Sequence, residues 1–192
     1  MGEIRNTHPE ISIVLPTYNR AAMLNRAVKS IIAQDYINWE LLIVDNSSTD
    51  DTDYVVSQFD DDRIKIFKIS NEGSIGKSRN YGIRKASGNW IAFIDSDDWW
   101  LPNKLRVCMD TLEEGDIDLV YHDFSLYRDE KIVRRKMASK GQLKAPVAKE
   151  LILNNNPIIN SSVVVRRELF SQVGFISEDM NIGDIISSKN MR

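Results

Sequence analysis

The chain has 192 residues, of which 42% are hydrophobic and 28% are charged, so it fits one globular domain and excludes global disorder. The 25 lysine and arginine residues against 28 aspartate and glutamate residues give a net charge of −3, which argues against a nucleic-acid partner for the whole surface. The single cysteine, Cys108, excludes an internal disulfide framework and fits a reducing compartment.

The sequence carries no targeting or membrane-spanning pattern. Residues 1–10 are polar and lack the apolar core of a signal peptide, and no apolar run approaches the ~20 residues that a spanning helix needs. We therefore expect a soluble, cytoplasmic protein. The stretch 128–149 carries eight basic residues, which predicts either a solvated loop or a contact with a phosphate-containing acceptor or the anionic inner face of a membrane.

Short apolar runs alternate with helical patterns along the chain. The predicted strands are 11–15, 41–44, 64–69, 90–94, 117–121 and 162–166. The predicted helices are 24–32, 76–86, 102–112, with Pro102 in its first turn, and 146–153. Because parallel strands need long crossovers and bury both faces, this alternation predicts a Rossmann-like α/β/α sandwich with a mostly parallel central sheet.

Polar side chains follow three of the predicted strands. Residues 16–19, 45–51 and 95–98 each begin where an apolar run ends. The carboxyl ends of parallel strands face one crevice, which is the usual ligand site of an open sheet. Helix capping is the alternative for Asn19 and Ser48, and both roles can coexist.

The acidic cluster 95–98 follows a buried strand directly. Its aspartates, Asp95, Asp97 and Asp98, repel one another, and a divalent cation would relieve that repulsion. Carboxylate oxygens suit hard ions such as Mg²⁺ or Mn²⁺, which also bind substrate phosphates. A solvated acidic turn is the alternative interpretation.

Four segments carry the most distinctive residues of the chain: 13–20, 44–52, 77–83 and 94–102. In order and spacing they resemble the successive motifs of family 2 inverting glycosyltransferases. The resemblance extends through residues 161–175 and so covers most of the chain. It implies the GT-A fold, a nucleotide-diphosphate sugar donor of the UDP-sugar type, and Mn²⁺ or Mg²⁺ as cofactor. It also implies a polysaccharide or lipid-linked saccharide acceptor, and a single domain 1–192 with a donor half at 1–115 and an acceptor half at 116–192.

The resemblance also implies roles for individual residues. Those assigned to the nucleotide sugar are Pro16, Tyr18, Asn19, Asp45, Asn46, Arg79, Asp95 and Ser96. Asp97 is implied as the more direct metal ligand, with Asp95 nearer the ribose and sugar. Asn46 departs from the family, which often has a second aspartate there that helps to read the base.

Inverting transfer needs a carboxylate that takes the proton of the acceptor hydroxyl. The family places this base after a Val-Gly-Phe stretch, where this chain has Glu178, Asp179 and Asp184. We favour Asp184, because Ile182-Gly-Asp184 resembles the family segment around its base. Residues 185–192 lack the aromatic-rich helix into which the family continues, so we expect a truncated or diverged C-terminus.

Two other functions fit part of the sequence. A non-catalytic nucleotide-sugar-binding protein would keep the donor half with an incomplete acceptor half. A nucleotidyltransferase shares a Rossmann-like sheet but would carry a glycine-rich phosphate loop near the first strand, and residues 16–19 are not one. The sequence leaves open the donor base and sugar, the acceptor, the linkage and the oligomeric state.

Overall fold

The computed structural model describes residues 8–115, 117–128, 131–136 and 158–179. The strands are β1 Ile11–Thr17, β2 Trp39–Asp45, β3 Ile64–Lys68, β4 Trp90–Phe93, β5 Leu119–Val120, β6 Phe124–Arg128, β7 Lys131–Lys136 and β8 Val164–Arg166. The helices are α1 Ala21–Ile32, α2 Thr52–Ser57, α3 Ile75–Lys85, α4 Lys104–Glu113 and α5 Leu169–Val173, and a 3-10 turn covers Asn160–Ser162.

Six strands form one sheet in the order β3-β2-β1-β4-β8-β5. The first four are parallel, and β8 runs antiparallel to both β4 and β5. The prediction of a mostly parallel sheet is confirmed, and the late strands extend that sheet as the sequence indicated. Strands β6 and β7 form a separate antiparallel hairpin.

Both faces of the sheet are covered by helices. Alternate residues of β1 divide between two cores, with Ile13 on the side of α1 and α4 and Val14 on the side of α3 and α5. This arrangement confirms the three-layer α/β/α sandwich. Helix α3 approaches β1 closely at Gly82, where an added Cβ would lie 2.5 Å from Cγ1 of Val14. The absence of a side chain at this position therefore sets the distance between α3 and the sheet.

Some sequence predictions differ from the structure. Helix α4 begins at Lys104 with Asn103 at its N-cap, so Pro102 lies in the preceding turn, where its carbonyl accepts a hydrogen bond from the backbone N–H of Asp35 (2.9 Å). The predicted strand 117–121 shortens to Leu119–Val120. The predicted helix 146–153 lies outside the described residues.

The basic stretch begins in the β6–β7 hairpin rather than in a loop. The two strands pair from Phe124 with Lys136 to Arg128 with Lys131, with an irregularity between Leu126 and Tyr127. The apolar pattern did not predict this hairpin, because its strands lie outside the main sheet and are rich in polar residues. Within the described residues, no helix is both long and apolar enough to cross a membrane.

Glu40 is a charged residue buried at the amino-terminal side of the sheet, 3% exposed. Its carboxylate accepts hydrogen bonds from Ser12 Oγ (2.7 Å) and Ser87 N (2.8 Å) and pairs with Lys65 Nζ (2.8 Å). Burial opposes the charged form, but the hydrogen bonds from Lys65, Ser87 and Ser12 outweigh it and lower the pKa of Glu40 from 4.5 to about 2. Glu40 therefore stabilises the fold as a carboxylate.

Glu40→Gln removes this charge at nearly constant size. The stabilisation by Glu40 is complete above its unfolded pKa of 4.5 and disappears as the pH falls towards the folded pKa of about 2. Between about pH 5 and pH 3, the parent should lose about 2 kcal/mol more of its free energy of unfolding than Glu40→Gln does. Urea unfolding at both pH values measures this difference, and equal losses in the two proteins contradict it.

Candidate active site

The polar segments after β1, β2 and β4 lie at one edge of the sheet. Thr17 pairs with Asp45 in the register of β1 and β2, and the backbone N–H of Ile94 continues β4 alongside β1 by donating to the carbonyl of Val14 (3.2 Å). Strand β1 has β2 on one side and β4 on the other, so the connections diverge here in opposite directions. Such a switch point is where open α/β sheets bind ligands.

Asp45 organises the loops after β1 and β2. Its side chain is fully buried, and its two carboxylate oxygens accept hydrogen bonds from the backbone N–H of Ser48 at 3.1 and 3.2 Å and from the Ser48 hydroxyl. Ser48 Oγ accepts in turn from the backbone N–H of Asn19 (2.9 Å), and Asn19 Oδ1 accepts from the N–H of Thr49 (2.8 Å). The two loops are therefore joined through side chains.

This network overturns the capping interpretation of Asn19 and Ser48. The N-cap positions of α1 and α2 belong to Arg20 and Asp51, neither of which caps through its side chain. Asp50 serves both helices instead, accepting from the N–H of Ala21 (2.9 Å) and of Thr52 (3.1 Å). Hydrogen bonds from the Thr52 hydroxyl and the Ala21 amide lower the pKa of Asp50.

Arg79 and Asp95 meet between α3 and the end of β4. The guanidinium of Arg79 is 1% exposed, and its Nη2 donates to Asp95 Oδ1 at 2.7 Å, while Asp95 keeps about a third of its side chain exposed. The buried arginine thus fixes one carboxylate oxygen of Asp95, while part of the Asp95 side chain stays accessible to solvent.

Asp97 is held by two arginines from α1 and the turn before it. Arg20 forms an ion pair with the Asp97 carboxylate, and Arg26 Nη2 donates to the Asp97 backbone carbonyl (2.6 Å). The side chains of Asp97 and Arg20 are each about half exposed. The apolar pattern of α1 predicts no role for either arginine. The sequence signal for Arg20 is its position directly after the Pro-Thr-Tyr-Asn segment.

Ser161 connects the acidic segment to the late part of the chain. Its Oγ accepts from the backbone N–H of Asp95 (3.0 Å) and donates to Asp98, and its carbonyl accepts from the indole N–H of Trp100 (2.8 Å). Burial raises the pKa of Asp98, and the charges of Asp95 and Asp97 raise it further against the lowering effect of the Ser161 hydroxyl. Asp98 therefore holds its proton more readily than an exposed aspartate does.

The remaining predicted site residues differ in exposure and in their contacts. Pro16 and Ser96 are buried, Tyr18 is 53% exposed, and Asn46 Oδ1 accepts from the backbone N–H of Asn71 (2.7 Å). Asp184 lies outside the described residues. The alternative bases Glu178 and Asp179 are described, and Glu178 Oε1 accepts from Asn80 Nδ2 on α3 (2.8 Å).

The aspartates at this edge fit a cation that also binds substrate oxygens. Among the residues that the structure describes, no three acidic, histidine or cysteine side chains converge to hold a metal by themselves. Asp97 and Asp95 are partly exposed carboxylates, each paired with an arginine. Mg²⁺ is commonly bound through one or two carboxylates plus substrate phosphates, and this donor set fits that mode.

The profile of Glycosyl transferase family 2 matches residues 12–174. The chain belongs to this family. The matched region includes all of the main sheet except the first residue of β1, Ile11. The resemblance seen in the sequence is thereby confirmed.

Two curated relatives illustrate the similarity. The chain is 34% identical over 169 residues to the UDP-Glc:alpha-D-GlcNAc-diphosphoundecaprenol beta-1,3-glucosyltransferase WfgD of Escherichia coli, which covers 86% of this chain and 63% of the relative. It is 41% identical over 111 residues to the GalNAc(5)-diNAcBac-PP-undecaprenol beta-1,3-glucosyltransferase of Campylobacter jejuni, covering 56% and 36%. The chain thus spans less than two thirds of either relative.

Solved structures support the fold. TarS 1-349 of S. aureus in complex with UDP has a TM-score of 0.74 at 22% identity, covering 91% of this chain and 52% of that one. The mannosyltransferase PcManGT of Pyrobaculum calidifontis, in complex with GDP-Man and Mn²⁺, has a TM-score of 0.67 at 21% identity, covering 93% and 50%. The fold is the Rossmann-like GT-A architecture.

Ser161→Ala tests the link between the acidic segment and the late chain. It removes the partner of the Asp95 N–H and of the Asp98 carboxylate, so it should lower the free energy of unfolding by about 1–3 kcal/mol. The neighbouring Ser162→Ala is the control, since Ser162 Oγ donates to a single carbonyl, that of Ile159. Urea unfolding should show the larger loss in Ser161→Ala; equal losses contradict the proposed linkage.

Proposed function

We propose that this chain transfers a sugar, with inversion, from a UDP-sugar to a lipid-linked saccharide. The observation that carries the proposal is the meeting of the β1, β2 and β4 ends around Asp45, Asp95 and Asp97 in a chain of glycosyl transferase family 2. The UDP and undecaprenol-diphosphate compounds in the names of its relatives supply the donor and acceptor classes.

The donor nucleotide is proposed to lie across the β1 and β2 ends. Tyr18 offers an exposed ring against which a base can pack, and the loop that Asp45 and Ser48 hold presents polar groups for the ribose. Pro16, Asn19 and Asn46 complete this side, with Ser96 near the sugar. Arg79 fixes Asp95 so that its exposed oxygen is available to the donor.

Asp97 is proposed to be the principal protein ligand of Mn²⁺ or Mg²⁺, with Asp95 beside it. A divalent cation there supplies neutralisation of the charge that develops on the departing nucleoside diphosphate. Arg20 pairs with Asp97 in this structure and brings a guanidinium to the same place. Arginine pairs readily with phosphate, so Arg20 is suited to bind the diphosphate once Asp97 binds the cation.

Asp184 is proposed to be the base that takes the proton of the acceptor hydroxyl as it attacks. Glu178 is less suited to this role, because its carboxylate is already engaged with α3: Oε1 accepts from Asn80 Nδ2 (2.8 Å) and lies 3.6 Å from Arg84 Nη2. Asp179, next to it, remains the other candidate in this segment.

A lipid-linked acceptor requires contact with a bilayer surface, and the β6–β7 hairpin is proposed to provide it peripherally. Leu126, Ile132 and Val133 of the hairpin are exposed, and basic residues predominate in its sequence. Tyr127 packs on Trp99 (4.8 Å between centroids), which follows the acidic segment. The hairpin therefore borders the proposed site.

Replacing Arg134, Arg135 and Lys136 together by Gln should weaken binding to phosphatidylglycerol vesicles by at least about tenfold, since each basic residue near an anionic surface contributes about 1 kcal/mol. Flotation of parent and variant with anionic and with neutral vesicles measures this. Replacing the exposed Lys85 and Arg106 by Gln is the control and should change little. Equal flotation of all three proteins contradicts the proposed contact.

The two proposed carboxylate roles should separate experimentally. The parent should bind UDP more tightly with Mn²⁺ than without it, and Asp97→Asn should lose that metal-dependent binding together with transfer. Asp184→Asn should bind UDP within roughly a factor of a few of the parent while transfer falls about 10²–10⁴-fold. Calorimetric titration with UDP and GDP, with and without Mn²⁺, and a transfer assay measure these effects.

Each contrary result has a distinct meaning. If no nucleoside diphosphate binds the parent, the donor site is wrong. If the parent binds UDP but transfers no sugar to any acceptor, the chain is a nucleotide-sugar-binding protein rather than an enzyme. If Asp184→Asn transfers as fast as the parent, the base is another residue.

A further inference from the structure

The peptide group between Asp97 and Asp98 is held at both ends. Its carbonyl, which belongs to Asp97, accepts a hydrogen bond from Arg26 Nη2 at 2.6 Å, and its N–H, which belongs to Asp98, donates to the Asp95 carbonyl at 3.0 Å. A peptide group is planar, so hydrogen bonds to its carbonyl and its N–H together leave it little freedom to rotate. The orientation of this plane limits where the side chain of Asp97 can lie.

The Arg26 guanidinium is itself held by an aromatic ring. Its Cζ lies 3.9 Å from the centroid of the Trp99 ring, which is within the range of a cation–π contact. Trp99 packs in turn against Tyr127 of β6, with 4.8 Å between the ring centroids. Arg26 therefore contacts the chain after β4 at two points, the Asp97 carbonyl and the Trp99 ring.

Helix α1 is a firm support for the Arg26 side chain. Leu24, Ala27, Val28 and Ile31 of this helix are fully buried in the core between α1, α4 and the sheet. Displacing α1 would expose these side chains to water, so the helix backbone has a fixed position relative to the strands. Arg26 lies exposed on α1 and carries that fixed position to the acidic segment.

The two arginines that reach Asp97 make chemically different contacts. Arg20 pairs with the carboxylate, which the proposed cation would also use, whereas Arg26 binds the backbone carbonyl. The Arg26 contact can therefore persist when the Arg20 contact is lost. The charge of Arg26 alone would repel a cation at Asp97, so any favourable contribution of Arg26 to cation binding has to come from its hold on the backbone.

We propose that Arg26 is a positioning residue for Asp97, an inference that rests on the proposed function. Arg26 fixes the peptide between Asp97 and Asp98, and so keeps the Asp97 carboxylate in the orientation that the cation and the donor diphosphate require. It acts through the backbone and touches neither the nucleotide nor the acceptor.

Arg26→Met keeps most of the length of the side chain and removes its charge and its hydrogen-bond donors. The increase in UDP affinity that Mn²⁺ produces should fall about three- to tenfold in this variant, while UDP affinity without Mn²⁺ should stay within about twofold of the parent. The fall is smaller than a buried hydrogen bond from a charged donor would give, because Arg26 is exposed. Calorimetric titration with UDP, with and without Mn²⁺, measures both values.

Lys29→Met is the matched control for this titration. Lys29 is an exposed basic residue in the last turn of the same helix, so its replacement makes the same change of charge on α1. Both UDP affinities should stay within about twofold of the parent. A fall in Lys29→Met equal to that in Arg26→Met would assign the effect to the charge of the helix and overturn the positioning role.

A second measurement needs neither metal nor activity. In the metal-free protein, the Asp98 amide should exchange its hydrogen at least about threefold faster in Arg26→Met than in the parent, because its peptide group has lost one of two hydrogen bonds. Arg20→Met should leave this rate within about twofold of the parent, since Arg20 contacts the carboxylate of Asp97 and not the peptide. Amide exchange followed by NMR measures the rate at this one residue.

The outcomes separate this inference from the proposed function. A parent whose UDP affinity does not rise with Mn²⁺ overturns the proposed cation site and this inference with it. In a parent that shows the rise, an unchanged or larger rise in Arg26→Met overturns the positioning role alone. An equal fall of UDP affinity with and without Mn²⁺ also overturns it, since Arg26 then binds the nucleotide itself. An unchanged exchange rate of the Asp98 amide overturns it as well.

Discussion

Four aspartates at one edge of a sheet need compensation, and most of the candidate site follows from how the protein supplies it. Asp95 is paired with the buried Arg79 and Asp97 with Arg20, while hydrogen bonds from Ser48 and Ser161 satisfy the carboxylates of Asp45 and Asp98. Each partner comes from a different part of the chain. The compensation therefore also joins the loops after β1 and β2, helix α3 and the late 3-10 turn into one assembly.

The two arginine partners, Arg79 and Arg20, differ in how readily another cation could take their place. Arg79 is buried, so removing its carboxylate partner would leave a charge with little access to water. Arg20 and Asp97 are about half exposed, and an exposed ion pair contributes little to stability. The cation proposed at Asp97 would therefore replace Arg20 at small cost, while the Arg79–Asp95 pair would persist. The site therefore combines Asp95, held by a buried arginine, with Asp97, whose arginine partner is exposed and exchangeable.

The strands and helices whose buried residues follow a regular pattern were predictable from the sequence. Strands β1, β2 and β4 are continuous apolar runs because both of their faces are covered, and α1 shows its buried stripe at Leu24, Ala27 and Val28. The β6–β7 hairpin was not predictable in this way, since it packs outside the main sheet. Pro102 lies in the turn before α4 instead of in its first turn; Asn103 is the N-cap, and the Leu105 N–H donates to Gln34 Oε1, a contact distant in sequence.

The candidate site was predictable as a location but not as a network. Strand ends and the motifs placed Asp45, Asp95 and Asp97 together, because parallel strands end at one edge. The pairing of Arg20 with Asp97, of Ser161 with Asp98 and of Asn80 with Ile176 depends on contacts between segments far apart in sequence. No local pattern encodes such contacts. Asp184 lies beyond the described residues, and its role stays a prediction.

The central claim is that the nucleotide binds at the carboxyl ends of β1 and β2, with its diphosphate at Asp97. A crystal structure of this chain with UDP and Mn²⁺ tests it most directly. The account predicts the uracil beside Tyr18 and the Asp45 loop, with Mn²⁺ between the diphosphate and Asp97 and with Arg20 released from that carboxylate. UDP bound elsewhere, such as in the cavity at the opposite edge lined by Asn89, Trp90 and Arg166, would contradict it.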